Sequence, residues 1–165
     1  MKKFLAILVL GLLWCNVVQA RITLSKCYMT KYEDISGSKV DPQEKFNNKN
    51  FEEWTYEIDL ENKIVSQIVV KTNEQLSENK SKIDSGKYPY NEEMKKGLLR
   101  RVSVTSVNII QIDKDIIKAI GNFEESGKWE ITLDKKKNTT IEKYFTNKDN
   151  PDVPFSVFER KCEGN

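Results

Sequence analysis

Trp54-Thr55-Tyr56-Glu57-Ile58-Asp59-Leu60-Glu61, then Asn62-Lys63, then Ile64-Val65-Ser66-Gln67-Ile68-Val69-Val70-Lys71, is the stretch that decides the fold. In its first half large apolar side chains alternate with polar ones. Successive side chains leave a strand on opposite faces, so period two marks a half-buried strand. The second half is rich in Val and Ile, whose branched Cβ suits a pleated surface. Two such runs across a short polar reversal predict an antiparallel hairpin.

The pattern repeats along the chain. Arg101 to Ile112 and Asp115 to Asn122 form a second pair, reversing at Asp113-Lys114. Lys128 to Leu133 and Thr139 to Thr146 form a third across Asp134 to Asn138. A last strand runs from Pro154 to Lys161, and a first lies between Ile22 and Tyr32. The expectation is a mainly β domain of about eight antiparallel strands. It is an up-and-down barrel, or else a two-layer sandwich. There is also an internal echo. Tyr56-Glu57-Ile58-Asp59-Leu60-Glu61 resembles Trp129-Glu130-Ile131-Thr132-Leu133-Asp134, and each opens a hairpin.

Two inserts interrupt the strands. Asp41-Pro42-Gln43-Glu44 has the cap, proline and acid of a helix start, predicting a short helix to about Asn48. Thr72 to Gly97 is polar, with almost no apolar periodicity. In its second half Asn91 precedes Glu92 and Glu93, and Lys95, Lys96, Arg100 and Arg101 follow. That order suits a helix dipole. A loop of this length is either partly helical or functionally mobile.

The first twenty residues read as an address. Lys2 and Lys3 precede the apolar run Phe4 to Cys15, and Val18-Gln19-Ala20 fits a cleavage site. This is the layout of a secretory signal peptide, 1–20, leaving a single domain over 21–165 with no further membrane-spanning stretch. Without Lys2 and Lys3 the 27 basic residues become 25, equal to the 25 acidic ones. A neutral chain gives no footprint for nucleic acid. Cys15 leaves with the leader. Cys27 and Cys162 remain, and in an oxidising compartment they predict one disulfide. In a closed barrel the first and last strands are antiparallel neighbours. Cys162 ends the last strand, so this reading puts the first strand at about Lys26 to Tyr32.

The sequence contains no histidine. That excludes Ser-His and Cys-His nucleophiles and the usual zinc sites. Catalysis would fall to carboxylates, Lys, Tyr, Ser or Thr. Asp84-Ser85-Gly86 has the aspartic-protease core but sits between Lys82 and Lys87 in the polar insert, where it reads as a turn. Glu52-Glu53 and Glu124-Glu125 are adjacent in sequence, so on a strand they point apart and form no acid pair. Asp149-Asn150-Pro151-Asp152 lacks the spacing and glycine of a calcium loop. No catalytic, cofactor or metal residue is assigned. If the barrel holds a pocket, Trp54, Tyr56, Trp129 and Ile131 are its expected lining.

Gly127-Lys128-Trp129 resembles the Gly-x-Trp element of lipocalins, although it falls on the sixth strand instead of the first. More broadly, the Met1-Lys2-Lys3-Phe4-Leu5 start, the Lys/Asn/Ile-rich body, the Tyr56-to-Leu60 strand and the Cys27/Cys162 ends resemble small exported proteins of AT-rich Gram-negative bacteria. That resemblance implies a periplasmic or secreted location and lends no activity. The expected function is a non-catalytic binding or interaction protein of the cell envelope, with an envelope protein or small ligand as partner and no cofactor. A carrier of a small apolar ligand is the alternative, and a carboxylate-based hydrolase the second.

Overall fold

The computed structural model describes residues 21–34, 39–40, 52–87, 89–123, 127–145 and 152–164. The predicted leader, the Pro42 helix and Glu124-Glu125 lie outside them, as do the first three residues of Asp149-Asn150-Pro151-Asp152. The strands are β1 (Arg21–Asp34), β2 (Lys39–Val40), β3 (Glu52–Asp59), β4 (Ile64–Lys71), β5 (Val102–Ile112), β6 (Ile116–Phe123), β7 (Gly127–Asp134), β8 (Thr139–Phe145) and β9 (Ser156–Gly164). Helices α1 (Asn73–Asp84) and α2 (Glu92–Leu99) stand between β4 and β5.

Every pairing is antiparallel, in the order β1-β3-β4-β5-β6-β7-β8-β9, and β9 returns to β1. The sheet is a closed eight-stranded barrel, with β2 added beside the far half of β1 at Tyr32↔Val40. Closure rules out the sandwich. It also removes sheet edges that would otherwise need protection. The three predicted hairpins form as read.

The first strand is longer than expected. β1 starts at Arg21 and Cys27 sits inside it, not near its start. The reason is a bulge. Pairing shifts register between Leu24 and Cys27 on the β3 side and between Ser25 and Tyr28 on the β9 side, and Lys26 has φ 47°. An extra residue bends the strand and re-aims the side chain that follows it. Cys27 is thereby turned inward to bond Cys162, across 135 residues of chain.

The barrel has two unlike ends. At one, β3–β4, β5–β6 and β7–β8 reverse through short turns, and the β1 start meets the β9 end. At the other lie the longer connections, including both helices. The core is a single cluster that includes Leu24, Ile58, Val65, Ile109, Ile117 and Leu133. Gly121 belongs to it for a steric reason: a Cβ there would lie 2.3 Å from Val107 Cγ1.

The internal echo is present but offset by two residues. Asn62 N–H donates to Asp59 Oδ1 at 2.8 Å, and Lys137 N–H to Asp134 Oδ1 at 2.9 Å. Lys63 and Asn138, one residue further on, have φ 55° and 52°. The turns therefore align Asp59 with Asp134. Trp54 then matches Trp129, Ile58 matches Leu133 and Gln67 matches Glu142. The two hairpins occupy opposite walls of the barrel.

The polar insert is helical in both halves. Thr72 and Asn91 cap α1 and α2, their side chains accepting from Gln75 N–H and Met94 N–H. Such caps satisfy backbone donors that the first turn leaves without partners. Polar contacts fix the pair. Asn79 Nδ2 donates to the Leu98 carbonyl at 2.9 Å, Lys71 Nζ to the Gly97 carbonyl at 2.8 Å, and Gln75 Nε2 to Glu52 Oε1 at 2.7 Å.

Candidate functional site

Alternation from the core places Glu142 of β8 and Arg160 of β9 inside the barrel. They are 0 % and 2 % exposed. Arg160 Nη1 lies 2.8 Å from Glu142 Oε1. The same oxygen accepts from Gln67 Nε2 at 2.9 Å and from the Tyr56 hydroxyl, while Oε2 accepts from the Tyr144 hydroxyl at 2.9 Å. Arg160 Nη1 also donates to the Tyr56 oxygen at 3.3 Å. A lone buried carboxylate or guanidinium costs several kcal/mol, roughly, so each is tolerable here only because the other and its hydrogen-bonding neighbours are in place.

The protonation states follow from this packing. Burial, and then the Glu142 charge, hold the Tyr56 and Tyr144 hydroxyls well above the ordinary tyrosine pKa. Burial works against the Arg160 charge, but Glu142 and the two tyrosine oxygens outweigh it, and its pKa is raised. Both tyrosines are therefore neutral donors near pH 7.

Aromatic rings line the wall around this centre. The Arg160 guanidinium lies 3.9 Å from the Trp54 ring centroid and 5.4 Å from that of Phe158. Such a placement adds cation–π attraction to the ion pair. Trp129 stacks on Tyr144 at 5.7 Å, Tyr144 meets Phe158 edge-on at 5.5 Å, and Tyr32 meets Phe158 at 5.0 Å. The Trp129 Nε1–H is buried with no acceptor among the described residues. Trp54, Tyr144 and Phe158 remain half-buried, and Thr105 is exposed although it pairs with the buried Gln67.

The four residues expected to line a pocket all face inward. Tyr56, Trp129 and Ile131 belong to the core cluster, and Trp54 packs against it. The residues that define the centre, Glu142, Arg160, Gln67 and Tyr144, were not expected. One signal could have found one of them: Phe158, Arg160 and Cys162 share a parity, so an inward Cys162 implies an inward Arg160. Among the described residues Glu142 is the one buried carboxylate. The hydrolase reading therefore lacks its second acid there.

No helix among the described residues is long and apolar enough to cross a membrane. Neither a scan of protein-family models nor a comparison with curated proteins finds a match for this chain.

Proposed function

We propose that this is a non-catalytic binding protein of the cell envelope, exported by its leader and oxidised at Cys27–Cys162. It takes a small, largely apolar ligand at the long-connection end of the barrel. One observation carries the reading: inward-facing positions at that end stay accessible while the opposite end is packed. A barrel dry at one end and reachable at the other is a container. Trp54, Tyr144 and Phe158 offer ring faces to an apolar body, and Trp129 Nε1–H offers a donor to a carbonyl or carboxylate oxygen. Glu142 is saturated by its own partners, which favours a structural centre over a reacting one.

The test is titration of the mature, oxidised protein with fluorescent amphiphiles, alongside a Thr105→Trp variant. Thr105 faces inward without being packed, so a larger side chain there plugs the entry and leaves the fold intact. Saturable one-to-one binding that the variant loses at least about ten-fold, a difference of about 1.4 kcal/mol, supports the reading. Equal binding by both proteins, or none by either, overturns it in favour of recognition by the outer surface. Turnover on a broad hydrolase panel would remove the non-catalytic part.

A further inference from the structure

One buried donor inside the barrel is left over. The Trp129 Nε1–H has no acceptor among the described residues, although Trp129 is only 4 % exposed. A buried N–H without a partner is destabilising, so a fold that keeps one needs a reason. The neighbours show where the group points. A Cβ added at Gly121 of β6 would lie 3.9 Å from Trp129 Cε3, so that edge of the indole faces β6. Nε1 is on the opposite edge, turned away from β6. One face of the indole is covered by Tyr144, stacked at an interplanar angle of 11°.

Register gives the depth. Ile131 pairs with Glu142 and Trp129 with Tyr144. Residues two apart on a strand share a face, so Trp129 stands one inward step above the Glu142 level, on the side of the long connections. The free donor therefore lies between the ion pair and the accessible end of the barrel.

The charge around it selects what it can receive. Among the described residues Glu142 and Arg160 are the buried charged side chains, and they cancel. Glu142 already accepts from Arg160, Gln67, Tyr56 and Tyr144. A ligand carboxylate at this depth would be a second anion sharing one guanidinium, with burial opposing its charge. Nearer the helices, Glu52 and Lys71 are cross-strand neighbours of opposite sign. Lys71 Nζ is spent on the Gly97 and Leu98 carbonyls, and Glu52 accepts from Gln75. A carbonyl, by contrast, brings an acceptor and no charge. We propose that the ligand is an uncharged amphiphile bearing an ester-type carbonyl, whose oxygen accepts from Trp129 Nε1–H while its hydrocarbon lies against the half-buried rings of Trp54, Tyr144 and Phe158. This rests on the carrier reading and narrows it: the ionised acid of the same chain is the wrong ligand.

The test titrates the mature oxidised protein with three fluorescent probes of one chain length: a methyl ester, the free acid, and the hydrocarbon without a head group. At about pH 8 the acid is ionised. The ester is expected to bind at least about ten-fold more tightly than the acid. Trp129→Phe keeps a ring against Tyr144 and removes the donor, so it should weaken the ester about five-fold relative to the hydrocarbon. If that variant does not fold, the Trp129 indole N–H resonance of the wild type reads the same bond. It should move downfield with the ester and not with the hydrocarbon. An acid that binds as tightly as the ester overturns the proposal and leaves the carrier reading standing. So does an ester-to-hydrocarbon ratio that Trp129→Phe leaves unchanged, or an indole resonance that the ester does not move. Failure of all three probes to bind overturns the carrier reading itself, and this proposal with it.

Discussion

The two matching hairpins, β3–β4 and β7–β8, are joined around the barrel by two seams, and the seams are built differently. The β1–β9 seam runs in pairs from Leu24↔Gly164 to Asp34↔Ser156 and is stapled by Cys27–Cys162. Among the described residues the β5–β6 seam pairs only from Asn108 to Ile112. The internal devices also lie beside the first seam. Arg160 of β9 reaches past β1 to Trp54 and Tyr56 of β3, and Glu142 holds it from β8. The β1–β9 seam carries a covalent bond across it and the ion pair beside it, whereas the β5–β6 seam rests on backbone pairing over Asn108 to Ile112 among the described residues.

The largest way to break this contrast is to unbalance the ion pair. Glu142→Leu leaves Arg160 buried without its counter-charge and is expected to cost about 3–5 kcal/mol, read from urea denaturation midpoints. The double variant Glu142→Leu with Arg160→Met is expected to recover most of that loss, since a matched apolar pair avoids the desolvation penalty. A double variant no more stable than the single one would mean that the tyrosines and Gln67, not the charges, carry the centre.

Removing the staple should act next. Cys27→Ser with Cys162→Ser is expected to lower stability by about 2–4 kcal/mol through the freer unfolded chain. The β1–β9 ladder should persist, because its other pairs do not need the sulfurs. A cross-peak pattern in amide NMR showing β1 detached from β9 would mean that the bond holds the seam itself.

Alkali should loosen the same side. Tyr56 and Tyr144 keep their protons above the unfolded tyrosine pKa of about 10, because burial and then Glu142 oppose the phenolate. Over that window the folded state binds more protons than the unfolded one. Stability is therefore intact below about pH 10 and falls as pH rises through the raised folded values. Absorbance at tyrosinate wavelengths should show two tyrosines ionising only with unfolding.

Hydrogen exchange sharpens the contrast without perturbing it. The Ser103 and Thr105 amides, which bond β4, should exchange at least about ten-fold more slowly than those of Val102, Val104 and Ser106, which face away from it. The smallest effect lies in the turns. Backbone N–H bonds, from Asn62 and from Lys137, hold Asp59 and Asp134 below the usual carboxylate range. Their contribution is present above the unfolded aspartate pKa and lost as pH falls through the folded values. Asp59→Ala and Asp134→Ala should cost small, equal amounts, with the difference from wild type vanishing in acid. Unequal losses would show that the hairpins match in sequence only.

Much of the fold was legible because alternation is local. Trp54 to Lys71, Lys128 to Leu133 and Thr139 to Phe145 each carry their own period, and the turn residues separate them. The start of β1 was not, because the bulge at Lys26 breaks the period there and two cysteines suggested a simpler register. α1 was not, because Asn73 to Asp84 buries no apolar stripe. Thr72, Asn79 and Gln75 hold it through polar contacts that the linear pattern does not display. Glu142 and Arg160 were hidden by their neighbours, since Glu142-Lys143 and Glu159-Arg160-Lys161 look like ordinary solvated charges.

By itself, then, the sequence determined the strand set, its turns, the disulfide partners and the exclusion of histidine chemistry, since each depends on residue type or short-range spacing. Tertiary structure alone decided that a carboxylate and a guanidinium meet inside the barrel and that, among the described residues, β5 pairs with β6 only from Asn108 to Ile112. Both depend on which distant strands lie side by side, and pairing between distant segments leaves no trace in the local period of either one.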